Sequence, residues 1–534
     1  MNFSAAASSV LGRQAMRDLD ARTISPRPGW PGTPSLELME RAGLAIADVL
    51  ADSGVHGVEL PECPRLLVLA GRGNNGGDGF VVARLLAARG WRCRVALVDG
   101  EPTPGADAAV NLERWTAGGG EVLALATSLA ELEEGAVRYD LGLDAIFGTG
   151  LTRALESPHL GLVENINKMG LPLVSADIPS GLSCDTGYPL GAAIRARATV
   201  AIGAAKPGLF LADGPDYAGR VRVAGIGLLP PTPSERAGDV LDANTLAGCW
   251  PRLSPLAHKG TRGHVLILAG SRGKTGAAVL AARGALRAGA GLVTVAGVAE
   301  VQAAVAHALP EAMTLLLPSA PDGTLAATAA DVLSVAMRAA DVLVAGPGLG
   351  DGEGTDKAVS MALDFPGPLV LDADALNIVA TWKPPQRAAV FRRRAQHGAP
   401  PAVFTPHPGE MSRLADMPTR RVQESREVVA GNLAKDLSVV VLLKGAATIV
   451  TDGRTTAFNL SGNAGMACAG MGDVLAGVCG ALLVRLKDSR EAACLAAYVH
   501  GAAGDHLART VGVGFLASEV ADAIPLALQV CEAR

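Results

Sequence analysis

Two short strings bring together residue types that chemistry needs in close company. Residues 463–477 read NAGMACAGMGDVLAG. Gly470 and Gly472 leave backbone amides bare ahead of a helical pattern, and Asp473 falls in its first turn. Amides at a helix N-terminus stabilise charge on a transferring phosphoryl group, and a carboxylate beside them accepts the hydroxyl proton. Asp473 is therefore the candidate base; the competing reading is a helix N-cap. The second string, GRGNNGGDG at 71–79, satisfies G-x-G-x-x-G through Gly71, Gly73 and Gly76, with Asp99 ending the next apolar run where a ribose-binding acid would sit. By itself that match points to a nicotinamide dehydrogenase or to nothing more than a tight turn. Asn74, Asn75 and Asp78 add amide and carboxylate oxygens among exposed N–H groups. Such a loop suits a phosphate or a hard cation.

Further candidates close other apolar runs. GTGLTRA at 148–154 follows a run containing Asp144, and Asp177-Ile-Pro-Ser180 follows another. Acids and hydroxyls at the carboxyl ends of parallel strands converge on one crevice. In the second half Gly346-Pro-Gly348-Leu-Gly350, Asp372-Ala-Asp374 and His407 in TPHPGE occupy equivalent places. KGAAT at 444–448 suits nucleotide phosphates or a base edge. GSRGKTG at 270–276 is not a P-loop, because Leu268 stands where a glycine is required. Lys274 there reads as a solvated loop residue.

These residues need a scaffold that gathers strand ends. Residues 14–52 read as one or two helices, with Leu36, Met39, Gly43, Ala47 and Leu50 at helical spacing and Ser35 as N-cap. A strand at 65–70, a glycine turn at 71–79, a helix at 80–89 and a strand at 93–98 form a βαβ pattern, which implies a parallel sheet. Strands follow at 140–147, 172–177 and 198–202. The proline-rich stretch 228–240 reads as a linker. A second α/β pattern opens with a strand at 264–269 and an Ala-rich helix to Gly289. Strands follow at 292–295, 341–345, 369–372, 402–405 and 439–443. The fold class is α/β in two domains, 1–230 and 240–534.

Composition sets outer limits. The 534 residues are 49% hydrophobic and 19% charged, which excludes disorder, and only 3% are aromatic, so Ala, Val and Leu must build the core. A net charge of −5 excludes a globally basic surface for nucleic acid. No apolar run is long enough for a membrane span, and the first ten residues lack the basic start and apolar stretch of a leader. Eight cysteines without a CxxC pair fit neither a disulfide framework nor a zinc site. The expected compartment is the cytoplasm.

Taken in order, the strings resemble those of the bifunctional NAD(P)H-hydrate repair enzymes. The first half is similar to the epimerase family through GRGNNGGDG, DAIFGTGLTR at 144–153, ADIPSGLSCDTG at 176–187 and KPGL at 206–209. The second is similar to the ribokinase-like dehydratase family through the run opening GSRGKTG at 270, AGPGLG at 345–350, LDADALN at 371–377, TPHPGE at 405–410, KGAAT and NAGMACAGMGDVLAG. The resemblance implies a Rossmann-like three-layer domain followed by a ribokinase-like three-layer domain. It implies that the first interconverts R and S hydrates of NADH and NADPH, and that the second dehydrates the S form at the expense of ADP. It further implies that Asn74, Asn75, Gly76, Gly77 and Asp78, Gly148, Thr149, Gly150, Leu151, Thr152, Arg153 and Ala154, and Asp177 bind the hydrate, with Asp177 in an acid–base role. Asn75, Asp144 and Ser180 would ligate K⁺. In the dehydratase Ala277, Gly348, His407 and Asp473 would contact substrate, and Lys444, Gly445, Ala446, Ala447, Thr448 and Gly472 would hold ADP with Mg²⁺. A homo-oligomer is also implied. Two departures stand out: Arg41 replaces an Asn common in the family, and Ser183-Cys184 replace an acid and Ala. Two alternatives remain: a ribokinase-like kinase of a small alcohol such as a vitamin precursor, and a non-catalytic nucleotide-binding module as first domain.

Overall fold

The computed structural model describes residues 9–124 and 138–532. Residues 1–8, part of the stretch read for a leader, lie outside them. The chain forms two compact units, Met1–Asp239 and Val240–Arg534.

In the first unit, β1 (Ser9–Leu11) precedes β2 (Arg65–Ala70), β3 (Arg92–Leu97), β4 (Glu121–Ala124), β5 (Leu141–Ala145), β6 (Leu173–Ala176), β7 (Ala198–Ile202) and β8 (Arg220–Ala224). β2 to β8 form a parallel sheet in the order β4-β3-β2-β5-β6-β7-β8, with Leu69 opposite Asp144. Both faces are covered. Leu66, Val68 and Ala70 point to one apolar cluster, with Ile46 and Phe80; Leu67 and Leu69 point to another, with Val163 and Ile166. Alternate residues of one strand thus feed two helical layers, which is the expected three-layer arrangement. The helices are α1 (Arg13–Ile24), α2 (Ser35–Leu50), α3 (Asn74–Ala88), α4 (Asp107–Ala117) and α5 (His159–Lys168).

Two sequence readings are corrected here. The glycine string is not a turn up to residue 79: α3 already begins at Asn74, and Asn75 to Gly79 are buried within it. Glycine weakens an isolated helix, but packing overrides propensity. A Cβ at Gly77 would lie 2.6 Å from the Met39 sulfur of α2, so close helix contact demands its absence. The proline-rich 228–240 contains the boundary between the two units, as read, and it is ordered. Thr232 and Glu235 form a capping box, and β9 (Arg236–Leu241) pairs antiparallel with β1. Ser35 also differs from expectation, since Pro34 is the N-cap of α2 and offers no side-chain bond.

In the second unit the strands are β10 (His264–Leu268), β11 (Leu292–Gly297), β12 (Met313–Leu316), β13 (Val342–Ala345), β14 (Leu369–Leu371), β15 (Val403–Phe404), β16 (Val440–Leu443), β17 (Ile449–Thr451) and β18 (Thr456–Asn459). Their order is β18-β17-β16-β15-β14-β13-β10-β11-β12, parallel except for the β16–β17–β18 meander. The helices used below are α6 (Thr275–Arg287), α7 (Ala373–Thr381), α8 (Pro408–Leu414), α9 (Arg426–Leu437), α10 (Met471–Leu486) and α11 (Ser489–Thr510). α10 packs on β10, β13 and β14 and against α6, while α11 covers β16 to β18.

Phe80 is fully buried in the first core. Phe80→Ala is expected to destabilise this unit by about 3–5 kcal/mol. Urea denaturation checks this, and a loss below about 1 kcal/mol would show that the site collapses around the cavity.

Candidate active sites

Both sheets reverse their winding once, and ligands bind at such switch points, outside the carboxyl ends of the strands. In the first unit the switch lies between β2 and β5, whose ends lead into Gly71 and Gly148. A Cβ at Gly76 would fall 1.7 Å from the Gly71 carbonyl oxygen, so only glycine lets α3 start this close to the strand end. A cavity of about 900 Å³ opens there. Asn74, Asn75, Asp78, Gly148, Thr149, Gly150, Leu151, Arg153, Ala154 and Asp177 line it; Gly76, Gly77 and Thr152 do not. Asn75 is buried, and among the described residues its Nδ2 has no partner. Such an amide is satisfied only by a ligand or water.

Asp177 has a left-handed backbone (φ 69°) just past β6, a strained state for a non-glycine residue and one found at functional positions. Its carboxylate accepts from Thr149 N–H (3.3 Å), Ile202 N–H (3.2 Å) and the fully buried Lys206 ammonium. Lys206 also donates to the Ile202 carbonyl at 2.8 Å. The sequence flagged KPGL but gave Lys206 no role. Asp78 and Asp20 face the same group. Burial, then Asp177, push the Asp78 carboxyl well above the usual range; burial pushes Asp20 to about 6, against the pull of Lys206. Asp99, read as a ribose acid, instead pairs with His159 of α5.

Below the cavity Asp144 is fully buried. Its partners are neutral: the Ser180 hydroxyl, Ser180 N–H at 2.8 Å, Ser175 hydroxyl at 2.8 Å and Ile146 N–H at 3.4 Å. Burial raises its pKa despite them. The buried Asp144 carboxylate, among neutral neighbours, and the Ser180 hydroxyl bonded to it are oxygen donors of the type a hard cation takes. Arg41 turns to the Ile226 carbonyl (3.0 Å) and to Glu37.

In the second unit the switch lies between β10 and β13. Gly270 N–H bonds the Pro347 carbonyl at 2.7 Å, joining the two loops. Gly348 (φ 62°) and Ala277 meet: a Cβ on the glycine would be 2.9 Å from that of Ala277. Asp473 stands in the first turn of α10, and its competing role is excluded, because Gly470 is the N-cap. Burial first, then Asp372, push its pKa up to about 6. Lys444 ends β16 and donates to Asp372 at 2.8 Å, with Glu410 at 3.8 Å; a Cβ on Gly472 would come within 3.1 Å of its Nζ. Burial opposes the Lys444 charge, but Asp372 and Glu410 outweigh it and raise its pKa. Lys444 therefore stands among the acids beside Asp473. The rest of its string, Gly445 to Thr448, forms an exposed to half-buried loop with Ala447 at φ 48°.

His407 caps α8. Its Nδ1 accepts from Gly409 N–H (2.9 Å) and Glu410 N–H (3.4 Å), and burial, then Lys444 and Arg413, lower its pKa. Lys274 is exposed as read, yet it pairs with Asp374 at 3.2 Å. Sequence reasoning missed three neighbours. Arg426 donates to the carbonyls of Leu443 (3.2 Å) and Lys444 (3.3 Å), Glu410 pairs with Lys444, and the buried His500 of α11 has a pKa lowered by burial, then Lys444, to about 4. No local pattern marks Arg426 or His500. Glu410 was visible only inside TPHPGE.

The family described as NAD(P)H-hydrate dehydratase matches residues 265–526, and that described as YjeF-related protein N-terminus matches 35–208. A Moorella thermoacetica bifunctional NAD(P)H-hydrate repair enzyme is 39% identical over 93% of each chain. This chain belongs to that family. The Escherichia coli relative is 37% identical over 91% of this chain and 88% of its own. A solved Bacillus subtilis ADP/ATP-dependent NAD(P)H-hydrate dehydratase, co-crystallised with ATP and Mg²⁺, is 29% identical; it aligns with 55% of this chain and 99% of its own at TM-score 0.47. The chain is an enzyme with an epimerase half and a dehydratase half, and full-length relatives leave the small-alcohol kinase reading the weaker one. Among the described residues no helix is long and apolar enough to cross a membrane.

Asp372 is almost wholly buried against Lys444. Asp372→Asn is expected to cost the second unit on the order of 3 kcal/mol, because it takes the nearest counter-charge from a largely buried ammonium. Urea denaturation measures it. Asp372→Asn with Lys444→Met should recover part of the loss, and a double variant as unstable as the sum would contradict the pairing.

Proposed function

We propose that the first unit interconverts the R and S hydrates of NADH and NADPH at the cavity bounded by α3, the 148–154 loop and Asp177. The second unit then dehydrates the S form with ADP as phosphoryl donor, in the cytoplasm and as a homo-oligomer. The observation that carries the reading is Asp473: a half-buried carboxylate at the bare N-terminus of α10, with its pKa pushed to about 6 beside Lys444. Once ionised, it takes the proton from the ring hydroxyl as that oxygen attacks the terminal phosphoryl group. The α10 amides and Lys444 stabilise the charge that develops. Phosphorylation releases AMP and makes the oxygen a leaving group; the ring nitrogen lone pair expels phosphate, and loss of a proton from the adjacent ring carbon returns the dihydronicotinamide. Gly348, Ala277 and the Nε2 side of His407 would seat the substrate, and the 445–448 loop with Gly472 the nucleotide.

Asn75, Asp144 and Ser180 would hold K⁺, which when bound would neutralise the buried Asp144 charge. Mg²⁺ usually binds through one or two carboxylates together with phosphate oxygens. The acids around Asp473 fit an ion that arrives with the nucleotide.

The test is recovery of dihydronicotinamide absorbance from an R/S hydrate mixture with ADP and Mg²⁺. Full recovery is expected; recovery of the S fraction alone would leave the first unit without epimerase activity. Asp473→Asn should lower the dehydration rate by about 10²–10⁴-fold. The base must be ionised, so the wild-type rate should rise with pH through about 6 and level off above it. A flat profile from pH 5 to 8 would remove Asp473 from that role. Sedimentation velocity tests the oligomer.

A further inference from the structure

The cavity of the first unit holds an acid that no motif supplies. Asp20 lies on α1, ahead of residues 35–208 that match the epimerase-side family. It lines the cavity together with Asp78 and Asp177. It is coupled electrostatically to both Lys206 and Asp177. Among the described residues none hydrogen-bonds its carboxyl group, whereas Lys206 grips Asp177. The buried Asn75 Nδ2 on the same cavity also lacks a partner, so donors and an acid wait for a ligand there.

Resting on the epimerase reading above, we propose that Asp20 is a second catalytic residue of this unit, the acid that works with Asp177 to exchange the substrate's ring hydroxyl with water. The chemistry follows from the hydrate. Protonating an enamine carbon of a dihydropyridine leaves an iminium that adds water at the carbon beside the ring nitrogen. That carbon is the epimeric centre. Asp20 gives its proton to the hydroxyl as the carbon–oxygen bond breaks, and the nitrogen lone pair moves into the carbon–nitrogen bond. Water leaves and an iminium remains. A second water adds to the other face, its oxygen pair forming the new bond, and Asp177 takes its proton. One water leaves and one enters, so the product is the epimer. The proton on Asp177 and the vacancy on Asp20 are then redistributed through cavity water. The acids rise from different elements, α1 and the end of β6, as attack on two faces requires. Burial supports the role by bringing Asp20 to about 6, near the pH at which a general acid is most effective.

The experiment uses the full chain and the purified R hydrate in water enriched in ¹⁸O. Wild-type conversion to S comes first, because its absence overturns the epimerase reading itself, whatever Asp20 does. Given conversion, the proposal expects one solvent oxygen per inversion above the enzyme-free background. Inversion that keeps the original oxygen would mean ring opening and would overturn it. Asp20→Asn should slow inversion by at least about 10²-fold, with Asp20→Glu retaining a measurable part. Asp20→Asn should leave the melting profile and the dehydration of pure S hydrate unchanged. Inversion by Asp20→Asn within threefold of wild type would also overturn the assignment, as would loss of inversion that tracks loss of fold.

Discussion

A carboxylate buried against a single ammonium group organises each half of this molecule. Asp177 meets Lys206 in one unit, and Asp372 meets Lys444 in the other. Removing either charge from water is costly and is offset only by a close partner with further hydrogen bonds. Thr149 and Ile202 N–H groups supply those for Asp177, and Thr405 for Asp372. Each lysine is outnumbered. Asp20 and Asp78 crowd the first pair, Glu410 and Asp473 the second, and these surplus acids have the raised pKa values. Acids with raised pKa values gathered around a lysine–carboxylate pair are suited to proton transfer.

The parallel sheets put those pairs where they are. A strand order that reverses once leaves two diverging loops, and the gap between them is lined by backbone N–H groups and strand-end side chains. Gly76 and Gly348 mark the gaps in the two units. At the first a side chain would strike the Gly71 carbonyl; at the second, a left-handed backbone brings the loop against α6. Both sites therefore depend on the absence of a side chain as much as on the presence of acids.

Apolar runs ending in glycine or acid were readable because buried parallel strands are uniformly hydrophobic; all the strands named from sequence exist within a residue or two. Asp473, Asp177 and the 148–154 loop stood out as candidates because each lies in a short string just past a strand or at the start of a helix. The glycine string misled, since helix 74–88 owes its start to contacts with Met39 and Val68, which no local rule contains. Stretch 228–240 was legible as the place where the units divide but not as a strand, because β9 finds its partner, β1, more than two hundred residues away. Asp20, Arg426 and His500 were invisible for the same reason. Each sits on an ordinary-looking helix and joins the acids and lysines of a site only through tertiary folding.

His407 has a consequence of its own. Two backbone N–H groups of α8 occupy Nδ1, so the ring is fixed as the tautomer that carries its proton on Nε2. Burial, then Lys444 and Arg413, lower its pKa, which favours the neutral ring. The helix thus sets the orientation of the ring, with Nε2 lying 3.3 Å from the Glu410 carboxylate. A pre-organised donor spends little on rearrangement when it meets an oxygen. A molecule offering an oxygen at that point would be matched, and one offering a donor would be turned away without a clash of shape.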